Sequence, residues 1–368
     1  MEERTLHYGK EEIKIISEKY LRARGTSRNF TVGEVSESLM EPIGEVSFNP
    51  MEERGAVVII DDHTRDTPVK KVLDLMKPRE ILVATGTHTP NPNLLRRKVG
   101  DWIGLCQFHN PRKVVYIGET SFGTPIYLNE SLLGRRIIGI GSIRPHNIFG
   151  WSGGSKIVLP GLASLETIEK NHQLVEDKSR IFELNSPSRL DSEESLSILI
   201  EEFGSEFFLV NFSQIGVFTG NFIEAHREGV KETVERIGVK LPKVERVVIS
   251  SYPFDESLWQ AGKALYIAEL LSESEIILVS SMSEIGPRDF EEAMLSEDPW
   301  EKGPLYGTVS SMLRRIFEEY EVSFVSRIPE KLLREMGVNG LKPEELRNLP
   351  ADLAIDRGCD LILKEVSP

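Results

Sequence analysis

Ala56-Val57-Val58-Ile59-Ile60-Asp61-Asp62-His63-Thr64-Arg65-Asp66-Thr67-Pro68 is the stretch that decides the fold class. Five apolar residues stand in a row without alternation, as in a strand buried on both faces of a parallel sheet, and a polar loop follows at once. The pattern recurs. Residues 81–83 run into Ala84-Thr85-Gly86-Thr87-His88, residues 114–117 into Gly118, and residues 137–140 into Gly141. Amphipathic stretches such as Val69–Met76 lie between some of these runs. Apolar strands alternating with helices predict an α/β protein with a mainly parallel sheet flanked by helices. Such folds bind ligands at the carboxyl ends of their strands, where these polar residues lie.

A chain of 368 residues is long for one ordinary core, so two domains are expected. The run 238–243 contains Pro242 and reads as a linker. Beyond it the pattern restarts, with strands at 247–249, 276–279 and 322–325 and helices at 257–271, 312–320 and 343–357. The expected division is residues 1–238 and a smaller α/β domain over 244–368, each with its own sheet and the active site in the cleft between them. The tail 360–368 either ends in the second domain or returns to the first. A net charge of −14 argues against a nucleic-acid partner and an anionic membrane surface. No apolar run reaches the length of a membrane span. The start Met1-Glu2-Glu3-Arg4-Thr5 lacks an apolar signal core, so a cytoplasmic location is expected. Cys106 and Cys359 have no CxxC partner and read as reduced thiols. Scarce Gln beside plentiful Glu, Lys and Arg hints at a thermophilic source.

The residues with the richest chemistry lie between Pro145 and His172. Gly153-Gly154 lets the backbone approach a ligand and turn N–H groups toward an anion. Lys156 follows as a cation or nucleophilic amine. Ser155 and Ile157 exclude a phosphate-binding P-loop. A glycine-rich turn with a solvated lysine fits the same spacing. His172 closes a helix-like stretch with no HxxxH partner, so it is either a capped helix histidine or a single metal ligand. A lone ligand would need an organic cofactor to complete the coordination. Thr64 and Arg65, in the loop after the first strand, could cradle a phosphate or carboxylate or simply form local ion pairs. His88 sits in a loop stiffened by Pro90 and Pro92. Gln260 and Lys263, three apart beside Trp259, share a helix face.

Taken together, DDHTRDTP (61–68), ATGTHTPNP (84–92), PHNIFGWSGGSKIVLPG (145–161) with TIEKNH (167–172), and YPFDESLWQAGK (252–263) resemble, in this order, the lactate racemase family that uses a nickel-pincer nucleotide. The resemblance implies a pyridinium-3-thioamide-5-thiocarboxylic acid mononucleotide tethered to Lys156. Its two sulfurs and a ring carbon would hold Ni(II) in a plane that His172 completes. It implies acid/base roles for His88 and His146. Asp62, Thr64, Gly153, Gly154 and Trp259 would bind the cofactor, and Arg65, Gln260, Lys263 and Trp300 the substrate. The implied activity is racemisation or epimerisation of a small 2-hydroxy acid by reversible hydride transfer, with cofactor-synthesis enzymes as partners and neither nucleic acid nor membrane. Other redox or dehydration chemistry with the same cofactor, or non-catalytic nickel or nucleotide binding, are the alternatives. Trp259 stands where the family leads us to expect Tyr. Its indole is bulkier and only donates, where a phenol also accepts, so the implied substrate is lactate or a related hydroxycarboxylate.

Overall fold

The protein, described by a computed structural model over residues 1–25 and 28–366, is an α/β fold with two mainly parallel sheets flanked by helices. Strands β1 (Glu2–Tyr8) and β2 (Glu11–Arg22) form an antiparallel hairpin. Strands β3 (Val57–Asp61), β4 (Glu80–Ala84), β5 (Cys106–Phe108), β6 (Arg136–Ser142), β7 (Glu206–Phe212) and β8 (Val217–Gly220) follow. They build a six-stranded sheet in the order β8-β7-β6-β3-β4-β5, parallel except at the β7–β8 edge. Strands β9 (Val244–Ser250), β10 (Ser272–Val279), β11 (Glu321–Val325), β12 (Asn339–Leu341) and β13 (Ala351–Asp356) join the hairpin in a seven-stranded sheet, order β1-β2-β13-β9-β10-β11-β12.

The helices follow from the apolar spacing. Helix α1 (Val32–Met40) starts with a capping box between Thr31 and Glu34. In α2 (Val69–Met76), Val69, Val72, Leu73 and Met76 form the buried stripe. With α3 (Pro92–Val99) these helices cover one face of the six-stranded sheet, where Val58, Ile60, Val83 and Ile140 are buried. The other face, with Val57, Ile59 and Leu209, packs against residues 157–168 and Leu196 and Leu199 of the long helix Pro187–Phe203. The seven-stranded sheet is covered on one face by the helices of the second half. On the other, Leu6, Tyr8, Ile13 and Ile15 of the hairpin and Leu346 bury Val248, Ile277 and Val325.

Several elements differ from the sequence expectation. Residues 114–117 do form a strand, Val114–Glu119, but it pairs antiparallel with Pro125–Asn129 outside both large sheets. The run 238–243 contains a short strand, Val239–Leu241, parallel to Leu363–Val366. The helix expected over 257–271 is two, Leu258–Ala261 and Lys263–Leu271, with the break at Gly262. The stretch 343–357 is not a helix. After a 3-10 turn at Glu345–Asn348, Pro350 stops helical hydrogen bonding, and Ala351–Asp356 becomes β13 between β2 and β9. Its apolar residues are fully buried, so tertiary pairing overrides their helical propensity. No helix among the described residues is long and apolar enough to cross a membrane.

Candidate functional site

The carboxyl ends of β3, β4 and β6 open on one large pocket, which elements packed on the seven-stranded sheet also line. Asp61 ends β3, Asp62 and Arg65 come from the loop after it, and His88 comes from the loop after β4. His146, Gly153 and Lys156 come from the connection after β6, and His172 from the helix Leu165–Gln173. Trp259, Gln260, Lys263 and Tyr266 enter from the second half, with Leu305, Val309 and Leu313 as an apolar stripe on the helix Pro304–Glu319. Of the residues named from sequence, Thr64, Gly154 and Trp300 do not line the pocket. Thr64 donates to Asp62 Oδ1 from its N–H at 3.0 Å and its hydroxyl at 2.6 Å. Trp300 belongs to the 3-10 turn Pro299–Lys302 and packs on Gly307, where a Cβ would come within 2.7 Å of its ring.

The loop after β3 is tied down from behind. Lys98 of α3 donates to the Asp61 carboxylate, to the Asp61 carbonyl at 3.0 Å and to the Asp62 carbonyl at 2.8 Å. Asp62 Oδ2 lies 2.7 Å from His88 Nδ1. Burial alone would raise the Asp62 pKa; the hydrogen bond and charge of His88, then Arg65 and Thr64, outweigh it and hold the carboxyl well below its usual range. His88 is itself lowered, by burial first and by Arg65 and Lys263, against the pull of Asp62. Asp62 therefore stays ionised and His88 neutral near pH 7.

The glycine turn is shaped from below. Gly153 and Gly154 have φ of +81° and +61°, where side chains are strained. A Cβ on Gly153 would lie 2.5 Å from Asn211 Oδ1, and one on Gly154 would lie 2.8 Å from Arg189 Nη1. Arg189 is fully buried and donates to the Gly153 carbonyl at 2.9 Å and to the Trp151 carbonyl. Lys156 rises from this turn with its Nζ 5.1 Å over the Phe149 ring. Burial, then the charges of Arg65 and Arg189, bring its amine down to about 7. The His172 ring packs edge-on against the same Phe149 at 5.6 Å. Burial and the nearby Lys156 charge hold its imidazole down at about 3, only the Ile168 carbonyl acting the other way. Asn171, beside it, donates to Asp191 Oδ2 at 2.7 Å and to the Ser188 carbonyl at 2.9 Å, anchoring the helix.

Lys263 donates to Gln260 Oε1, and its Nζ lies 5.2 Å over the Phe254 ring. Burial and the Arg65 charge push its ammonium pKa well below the ordinary lysine value. Arg65, Lys156 and Lys263 thus crowd one pocket of a chain whose net charge is −14, an arrangement suited to an anion. Arg144, which the sequence does not single out, joins the two sides. It pairs with Asp66 on the Arg65 loop and with Asp360 at 3.0 Å, and stacks over Phe254 at 5.2 Å. Phe149 is likewise unmarked. Both stand inside or beside the quoted motifs, but sequence alone does not tell a buried hub from ordinary core. Among the described residues no group of three or more His, Cys, Asp or Glu is placed to hold a metal. His172 offers one neutral imidazole, and Lys156 a nucleophilic amine.

An α/β protein with a cationic, histidine-bearing pocket at its strand ends is the class that fold and site define. A family model described as lactate racemase N-terminal domain matches residues 7–182. The chain is 27% identical to the lactate racemase of Thermoanaerobacterium thermosaccharolyticum over 68% of its own length and 66% of the relative's. It is 27% identical to that of Lactiplantibacillus plantarum over 67% of its length and 65% of the relative's. Each match thus spans about two thirds of the curated relative. The lactate racemase apoprotein structure from T. thermosaccharolyticum superposes with a TM-score of 0.83 at 21% identity, covering 99% of this chain and 100% of that one. A structural-genomics protein of Thermotoga maritima gives 0.71 at 19% identity, over 92% and 99%. The fold is therefore lactate racemase-like.

Proposed function

We propose that the chain is an isomerase, a racemase or epimerase of a small 2-hydroxy acid, lactate or a relative, working with a nickel-pincer nucleotide tethered at Lys156. The observation that carries this reading is the convergence of Arg65, two lysine amines, three histidines and a glycine cradle in one pocket. The residues fit the cofactor. Lys156 has an amine lowered to about 7, as a nucleophile needs. His172 is a neutral imidazole, as a metal ligand must be. Bound there, the nucleotide supplies a reversible acceptor for the C2 hydrogen and its electron pair.

The chain's own groups do the rest. Arg65 and Lys263, with Gln260 beside it, hold the carboxylate. His88 and His146 face the hydroxyl. We take the two sheets, with β1 and β2 counted in the second, as two domains whose closure excludes water and retains the keto acid. Mere binding would not need His88 locked to Asp62, which speaks against a non-catalytic nucleotide binder. The test is co-expression with the cofactor-synthesis enzymes, intact-mass measurement, and chiral chromatography on a panel of 2-hydroxy acids. A mass adduct together with inversion at C2 of at least one acid is the expected result. A loaded protein that inverts none of them overturns the reading.

A further inference from the structure

Three successive carbonyls of the glycine turn are held from beneath by two fully buried side chains. Arg189, on the helix Pro187–Phe203, donates to the carbonyls of Trp151 and Gly153, the latter at 2.9 Å. His226, on the helix Glu224–Ile237, has its Nε2 2.9 Å from the Ser152 carbonyl. A carbonyl only accepts, so this Nε2 carries the proton and donates. In a planar trans peptide the N–H points away from the C=O. The N–H groups of Ser152, Gly153 and Gly154 are therefore turned to the side opposite Arg189 and His226. That of Ser152 donates to the Arg144 carbonyl at 2.8 Å. Those of Gly153 and Gly154 have no hydrogen-bond partner among the described residues, and Gly153 lines the pocket. Two successive N–H groups aimed one way form a concavity for an anion.

Two further features of the region call for a negative charge. The first is Arg189 itself. Among the described residues no carboxylate pairs with it, and the Glu193 carboxylate, one turn on, is taken by Arg227 at 3.0 Å. Burial brings the Arg189 guanidinium down to about 10, so it stays protonated near pH 7. A buried charge without a counter-ion destabilises a protein until an anion answers it. The guanidinium lies 5.6 Å from the centre of the Phe149 ring and Lys156 Nζ 5.1 Å from the same centre, so the two groups border one small region. The second is Asn211, near the end of β7. Its side chain is fully buried against Gly153, and neither its amide oxygen nor its amide nitrogen has a hydrogen-bond partner.

We infer that Arg189 is a positioning residue for a phosphate monoester: with His226 it turns the carbonyls of residues 151–153 inward, so that Gly153 and Gly154 offer their N–H groups to the phosphate of a pyridine mononucleotide, whose charge answers that of Arg189. This rests on the nucleotide of the function proposed above. Arg189 does not line the pocket, so it acts through the turn and not by touching the ligand. Its planar fork suits the task, because one guanidinium spans two carbonyls that a lysine ammonium could not hold together. The turn leads directly into Lys156, so a phosphate seated on it keeps the rest of the nucleotide near that amine.

The test is binding to the full-length apoprotein, made without the cofactor-synthesis enzymes and followed by isothermal titration calorimetry. The probes are nicotinic acid mononucleotide, which has the phosphate, and nicotinic acid riboside, which lacks only that group. The variants are Arg189→Lys and Arg189→Met. The readout is the ratio of the two Kd values, because a residue that merely stabilised the fold would weaken both probes alike. Hydrogen bonds from two N–H groups to a charged phosphate should make the wild type prefer the mononucleotide by about 10²-fold or more. Arg189→Met should cut that preference by at least about tenfold and leave riboside binding within about twofold of wild type. Arg189→Lys, which keeps a charge but not the fork, should fall between the two. Equal binding of both probes by the wild type overturns the inference, and so does a wild-type ratio in Arg189→Met. If Arg189→Met does not fold, Arg189→Lys decides by the same ratio, and a value within about twofold of wild type overturns the inference. Loaded protein that inverts a 2-hydroxy acid despite an unchanged ratio would leave the racemase reading standing. A ratio that falls as expected, in a protein that inverts no acid once loaded, would keep the nucleotide site and remove that reading.

Discussion

The ends of the six-stranded sheet and the elements packed on the seven-stranded sheet line the same pocket with different kinds of residue. From the first come His88, His146, Lys156 and His172, groups whose pKa burial lowers first of all. From the second come Gln260, Lys263, Trp259 and the Leu305, Val309 and Leu313 stripe, which offer one charge, one amide and apolar surface. The physical cause is in the supports. Behind the first set stand Lys98, Asp62, Arg189 and Asn171, buried or half-buried polar groups that fix loops and tautomers. Behind the second stands an apolar core. On the proposed function the reacting groups sit at the ends of one sheet, and the other side would supply grip and shape.

The hardest test of this division is at Lys156. On the proposed function its amine is the nucleophile of the first side, and burial with the charges of Arg65 and Arg189 lowers it to about 7. Lys156→Ala, co-expressed with the cofactor-synthesis enzymes, should fold and show no mass adduct and no turnover. An adduct that persists would move the tether elsewhere and break the comparison at its strongest point.

The two sides are not equally legible in the sequence. The strands of the first are uninterrupted β-branched runs followed at once by polar loops, so the residue pattern by itself puts Asp62, Arg65 and His88 just past strand ends and marks Lys156 beyond a glycine turn. The supports there leave no such mark. Lys98 reaches Asp61 and Asp62 across 37 and 36 residues, and nothing local signals it. On the second side the periodicity misleads. Residues 343–357 carry a helix-like mix of Glu, Leu and Arg, yet Pro350 and parallel pairing with β2 and β9 make a strand of their end. The placement of β1 and β2 beside β13 depends on contacts some 330 residues apart along the chain, such as Ser17 with Ala351, and has no local signal at all. The resemblance assigns Trp300 to the substrate, but its ring packs on Gly307 outside the pocket lining.

The next test is the grip. On the proposed function Lys263 is the carboxylate anchor of the second side, held against Gln260 and over Phe254. Lys263→Met keeps the aliphatic stem and removes the charge. A hydrogen bond to a charged group is worth about 1.5–3 kcal/mol, so KM for the hydroxy acid should rise by about 10- to 100-fold. The Lys156 adduct should be unaffected. A fall in kcat with KM unchanged would mean that Lys263 acts in the chemical step, and the division between grip and chemistry would fail.

The smallest effect is expected at Trp259, where shape rather than charge is at stake. Its ring meets Phe290 edge-on at 4.7 Å and Tyr306 at 5.6 Å, and it packs against the cores of both sides. Trp259→Tyr keeps an aromatic ring at that junction, shortens it, and adds a hydroxyl that accepts as well as donates. Aromatic pairs of this kind contribute about 0.5–1.5 kcal/mol beyond burial, so partial loss of two contacts should lower thermal stability slightly. The relative kcat/KM for lactate against bulkier 2-hydroxy acids should move by about fivefold, since a change of this size in an apolar wall is worth about 1 kcal/mol. Thermal unfolding and the same panel of acids measure both. If Trp259→Tyr raised KM as much as Lys263→Met does, the indole N–H would be holding the substrate. Trp259 would then belong with the anchors, and the second side would grip at two points instead of one.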